Sequence, residues 1–142
     1  MNTENVKAVL RVLRRLEKLA EQLDALIYKR AMCTDMRLEN CACNCAERQV
    51  ERILELMRRK RSLVLLKLTA DEQLERMDEA SACVLKMRYV DGKRKKEICA
   101  ALGVSERTYF RRLEKAYLSF GRKMRLAGYD DGWFEEFRGE WD

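Results

Sequence analysis

Arg107 and Arg111 are the residues whose type and spacing speak most directly to chemistry. Four apart on a helix, they project from the same side, one turn apart. Each guanidinium is a rigid fork of donors that fits O6 and N7 of guanine, and a well-aligned pair is worth about 1–3 kcal/mol of discrimination. The same forks grip phosphates, to which most protein–DNA hydrogen bonds go. Arg94, Lys95 and Lys96 open another helix upstream. Cations at a helix N-terminus oppose its dipole by a few tenths of a kcal/mol, so a phosphate strand is their expected partner. The remaining reactive groups are thiols. Cys33, Cys41, Cys43 and Cys45 fall within 13 residues, the number a tetrahedral zinc site needs. Their spacing departs from the common frameworks, so free cysteines are the preferred reading and a zinc site or redox disulfide the minority one. Cys83 and Cys99 read as small core hydrophobes. The chain has no histidine, which removes Ser-His and Cys-His catalysis. With no phosphate loop and no paired-carboxylate motif, neither an enzyme nor a cofactor is expected.

The elements that must hold these bases are helical. Leu102-Gly103-Val104-Ser105 has the form of the turn in a helix-turn-helix. Gly103 can end a helix in the left-handed conformation without a Cβ clash, and Ser105 can cap the next one. Ile98, Ala101 and Leu102 form one inward face, and Tyr109, Leu113, Ala116, Tyr117, Phe120 and Met124 form the other. Arg107, Arg111, Arg112 and Lys115 are left outward. A helix packed on one face and basic on the other suits a duplex major groove. Charge follows the same division. Residues 93–125 hold eleven bases against three acids, a net of +8, whereas residues 129–142 hold six acids against Arg138 alone. A basic module and an acidic tail place phosphate contacts in the first only.

The 142 residues contain no proline, and every glycine lies after residue 91, so long helices are expected before it. Val6, Val9, Leu13, Leu16, Ala20, Leu23 and Ile27 alternate spacings of three and four, a coiled-coil seam of three heptads. A second helix is expected from near Ala46, with Val50, Ile53, Leu54, Met57, Val64 and Leu68 interrupted by Lys60 and Arg61. The pair closes either as an antiparallel hairpin within one chain or as a seam that also joins two chains, and a dimer is favoured. The second helix either restarts at the capping-box form Thr69-Ala70-Asp71-Glu72 or runs to about Met77. Trp133, Phe134, Phe137 and Trp141 recur at helical offsets in the tail, which packs in cis or is offered to a partner. The expected fold is all-α: a helical hairpin over 1–77, a helix-turn-helix domain over 78–128 and an acidic aromatic tail over 129–142. No signal peptide and no membrane-length apolar run is visible, so a cytoplasmic, nucleoid-associated protein is expected.

Residues 82–120 resemble region 4 of bacterial sigma factors, and more closely the sigma-like helix-turn-helix of small phage-encoded late-gene activators. The matching residues run from Leu85-Lys86-Met87-Arg88-Tyr89-Val90-Asp91-Gly92, through Lys96-Glu97-Ile98-Cys99 and Leu102-Gly103-Val104-Ser105, to Glu106-Arg107-Thr108-Tyr109 and Arg112-Leu113-Glu114-Lys115-Ala116-Tyr117. The resemblance implies that the third helix, about 105–120, enters the major groove. Glu106, Arg107, Phe110 and Arg111 would then meet bases, and Arg94, Lys95, Lys96, Ser105, Arg112 and Lys115 would meet phosphates. Phe110 stands where sigma factors usually carry a long polar residue, and Tyr109 replaces a smaller aliphatic one. No counterpart of sigma region 2, which melts promoters, is read in these residues, so a regulator and not a complete sigma factor is expected. The implied role is a sequence-specific, double-stranded DNA-binding regulator of transcription, of phage or mobile-element type, with bacterial RNA polymerase a further candidate partner. The alternatives are the DNA-recognition subunit of a phage packaging machine, like a terminase small subunit, and an RNA polymerase-binding adaptor without DNA binding.

Overall fold

The structure, a computed structural model, describes the backbone of residues 2–38 and 43–141 and the side chains of residues 2–32 and 46–136. Among the described residues seven α-helices follow one another: α1 (Thr3–Leu13), α2 (Leu16–Leu38), α3 (Cys43–Arg76), α4 (Glu79–Leu85), α5 (Lys95–Leu102), α6 (Glu106–Leu126) and α7 (Asp131–Trp141). A π-helical turn, Lys86–Val90, extends α4. The described residues contain no strand, so the chain is all-α as its periodicities require.

Two compact units result, residues 1–14 with 68–142, and residues 15–67. This differs from the expected division at 77/78 and 128/129. The seam from Val6 to Ile27 is broken at Arg14-Arg15, and α1 packs against α6 and the π-helical turn. Val6, Val9, Leu10 and Leu13 are buried there, which settles α1 with the helix-turn-helix body. α7 belongs to that body too. Asp131 accepts hydrogen bonds from the Asn2 backbone N–H at 2.7 Å and the Asn5 amide at 2.8 Å, and Phe134 is buried. The tail therefore packs in cis through its described residues; Phe137 and Trp141 have side chains outside them.

In the second unit α2 and the first part of α3 are antiparallel. Asp24 pairs with Lys60 at 2.5 Å and Glu17 pairs with Lys67, so seven residues back along one helix match seven forward along the other. Leu16 and Leu23 of α2 and Leu63 and Leu66 of α3 are buried. Helix α3 runs unbroken through Thr69-Ala70-Asp71-Glu72 and stops at Arg76. Asp78 then caps α4, accepting from the Ser81 backbone N–H at 3.3 Å and from its hydroxyl at 3.0 Å. Those bonds draw the Asp78 carboxyl below its usual pKa.

Candidate nucleic-acid interface

The turn between α5 and α6 has the geometry its residues dictate. Gly103 ends α5 at φ 64° and ψ 35°, the left-handed conformation, which costs an L-residue about 1–2 kcal/mol. Ser105 then starts α6, its hydroxyl accepting from the Thr108 N–H at 3.3 Å. At the start of α5, Glu97 reaches back to the Arg94 backbone N–H at 3.1 Å. Its carboxylate offsets the bases crowded against the positive end of the helix dipole.

Helix α6 is two-faced. Tyr109, Leu113, Ala116, Tyr117, Phe120 and Met124 are all buried, against α1, α4 and α5. On α5, Ile98 is fully buried, Leu102 is half-buried, and Ala101 is exposed where an inward position was expected. Helix α5 has only eight residues, and its single buried anchor is Ile98. On the opposite side of α6, Arg107, Arg111, Lys115, Leu118 and Arg122 are exposed and spaced 4, 4, 3 and 4 apart, one continuous stripe. Arg107 and Arg111 lie on it as expected, and so does Lys115.

The other candidates separate from them. Glu106 and Phe110 lie on the flank of α6 turned to α5, where a single lysine engages both. Lys95 Nζ is 3.4 Å from the Glu106 carboxylate and 5.3 Å from the Phe110 ring centroid. Phe110 also meets the Tyr109 ring edge-on at 5.3 Å. Lys95 is therefore already committed to α6, unlike Arg94 and Lys96, which are exposed. Arg112 is exposed on the far flank, and Ser105 is exposed beside its cap. Leu118 and Arg122 extend the stripe beyond the expected set; a lone leucine among bases gives no periodic signal of its own.

Behind the reading face lies a polar seam that spacing could not reveal. The π-helical turn aims Arg88 at α6, where it donates to the Tyr109 hydroxyl at 2.7 Å. Burial opposes the charge on Arg88, but its bond to Tyr109 and the facing tyrosines hold it more firmly protonated than usual. The next residue, Tyr89, shares a 2.5 Å hydrogen bond with Tyr117. Burial first, and this bond second, push the Tyr117 phenol well above its ordinary pKa. Both bonds fix the roll of α6 from beneath, and with it the direction of the stripe.

Among the described residues no His, Cys, Asp or Glu cluster could hold a metal. Cys33, Cys41, Cys43 and Cys45 have side chains outside those residues, while Cys83 and Cys99 are half-buried free thiols. Likewise, no described helix is long and apolar enough to cross a membrane.

A short helix, a left-handed glycine turn and a second helix with one basic face make up a helix-turn-helix of the DNA-reading kind. Residues 67–119 match the family Sigma-70, region 4, so the chain carries a sigma region 4-like helix-turn-helix, a DNA-binding and transcription-related module. The match starts within one residue of Leu68, where the second segment of the first unit begins. No curated protein and no solved structure matches the chain.

Proposed function

We propose that this protein is a sequence-specific regulator of transcription that binds double-stranded DNA, of the small type carried by phages and mobile elements. The stripe Arg107-Arg111-Lys115-Leu118-Arg122, standing opposite a fully buried face on the helix after the turn, carries this reading. Helix α6 enters the major groove. Arg107 and Arg111 contact base edges, and Leu118 meets sugar or a thymine methyl. Phe110 and Glu106, held by Lys95, border the read bases. Arg94, Lys96, Arg112 and Lys115 contact phosphates along with Ser105, while Lys95 stays with Glu106 and Phe110. Sigma region 4 modules also bind RNA polymerase, so polymerase is proposed as the protein partner through which binding is converted into regulation.

The test is selection from a randomised duplex pool. A motif with guanines that the wild type enriches, and that Arg107→Lys/Arg111→Lys loses, supports the reading, because lysine keeps the charge and removes the fork. Enrichment that is identical for both proteins would refute base reading by these arginines. A pool left unenriched by a protein that still binds RNA polymerase would favour the adaptor alternative.

A further inference from the structure

The hairpin of residues 15–67 leaves a second apolar line on α3. Ile53, Leu56, Leu63 and Leu66, on the side where Lys60 and Lys67 reach α2, are buried or half-buried. Val50, Leu54, Met57, Val64 and Leu65 lie on another side and are 40–59% exposed. With Arg61 in line, Val50-Leu54-Met57-Arg61-Val64 repeats at 4, 3, 4 and 3 residues, the period of a coiled-coil seam. Beside it runs a groove of about 700 Å³, in which Ile27 and Asp24 of α2 face Met57, Lys60, Arg61 and Val64.

The uncovered apolar area of Val50, Leu54, Met57, Val64 and Leu65 is roughly 400 Å², the size of the largest apolar patch on an ordinary monomer, which is often a functional one. It is also about the apolar share of the ~800 Å² per partner in an ordinary interface. Charge then selects the partner. The exposed charges flanking the seam are acidic at its start, Glu47 and Glu51, and basic further on, Arg58, with Arg61 in line; Arg48, Arg52 and Glu55 project from the far side of the helix. Laid against an identical helix in the same direction, acid meets acid and base meets base. Laid antiparallel about a two-fold axis near residue 56, Leu54 meets Met57 and Glu51 falls between Arg58 and Arg61 of the second copy. The Arg61 stem then covers Val50 with its charged head at the rim.

We propose that residues 50–65 of α3 form the interface of a homodimer, two copies pairing antiparallel along Val50-Leu54-Met57-Arg61-Val64. The proposal is independent of how α6 reads DNA, because it rests on the hairpin alone. Sedimentation equilibrium of the full chain across the micromolar range tests it. The wild type is expected to be dimeric. Leu54→Lys/Met57→Lys is expected to weaken association by about 100-fold or more, as for two central contacts. Both residues are more than half exposed, so the helical circular dichroism should be unchanged. Glu51→Arg should weaken the dimer, and adding Arg61→Glu should restore it. A monomeric wild type would overturn the proposal, as would association unaffected by Leu54→Lys/Met57→Lys. A charge-swapped Glu51→Arg/Arg61→Glu chain that pairs no better than Glu51→Arg would do so as well.

Discussion

The bond between Tyr89 and Tyr117 predicts that two substitutions cost less than one. The hydroxyls are 2.5 Å apart, and the residues are 9% and 6% exposed. Tyr117→Phe removes one partner and strands the Tyr89 hydroxyl where water reaches it poorly, a loss of about 1–3 kcal/mol. Tyr89→Phe should lose a similar amount. The double variant removes both hydroxyls and keeps the edge-on ring pair, whose centroids are 6.3 Å apart, so it should fall within about 1 kcal/mol of the wild type. The cycle then yields a coupling of at least about 1 kcal/mol. Urea unfolding of the four proteins followed by circular dichroism gives each term. In a domain of this size 1 kcal/mol also moves Tm by about 4–8 °C. A second signature is alkaline. The native phenol of Tyr117 holds its proton above its ordinary pKa of 10.0. Above that pH the unfolded chain binds fewer protons than the folded one, and stability falls as pH rises. Tyr117→Phe should flatten that fall. Single variants as stable as the wild type, with strictly additive effects, would refute the account of this seam.

Other expectations follow from the same geometry. Gly103→Ala meets no atom within 4 Å of its added Cβ, so only the left-handed backbone acts against it, by about 1–2 kcal/mol; thermal unfolding should show the loss, and an unchanged Tm would contradict the turn. Ser105→Ala removes the cap of α6 and should cost about 1 kcal/mol, read in the same melt. Asp131 has a lowered pKa because it accepts from the Asn2 backbone and the Asn5 amide. Its contribution is present above the unfolded value near 3.8 and is lost as pH falls through the lower folded value. Asp131→Asn should therefore be less stable than the wild type at neutral pH and converge with it in acid, and a constant difference across pH would contradict the assigned bonds.

The parts of this molecule legible in its sequence are those decided within one or two turns of chain. Gly103 and Ser105 announce the turn because left-handed backbone and a hydroxyl cap are local requirements. The core face of α6 follows from helical period alone. The break at Arg14-Arg15 was not legible, since the seam from Val6 to Ile27 continues across it without glycine or proline. Periodicity shows that Val6, Val9 and Leu13 are inward but not which helix receives them, and they go to the body that contains α6. Lys95 read as a phosphate ligand because its neighbours are basic; its hold on Glu106 and Phe110 depends on how α5 crosses α6. The Arg88–Tyr109 bond spans 21 residues and needs the π-helical turn, which no composition signal marks. Asp131 read as one acid of an acidic tail, while its bonds to Asn2 and Asn5 depend on the two ends of the chain meeting.

The most direct test of the central claim is a salt titration of duplex binding by fluorescence anisotropy, comparing wild type with Arg107→Ala/Arg111→Ala on a selected site and on unrelated DNA. With four phosphate-facing cations per chain, log K should fall against log salt with a slope of about −4 per bound chain. The double variant should lose about 30-fold or more on the selected site, from about 1 kcal/mol or more at each fork. On unrelated DNA its loss should be much smaller, so the preference between the two duplexes collapses. Salt-insensitive binding, or a variant that keeps the full preference of the wild type, would contradict the claim that α6 reads DNA through this stripe.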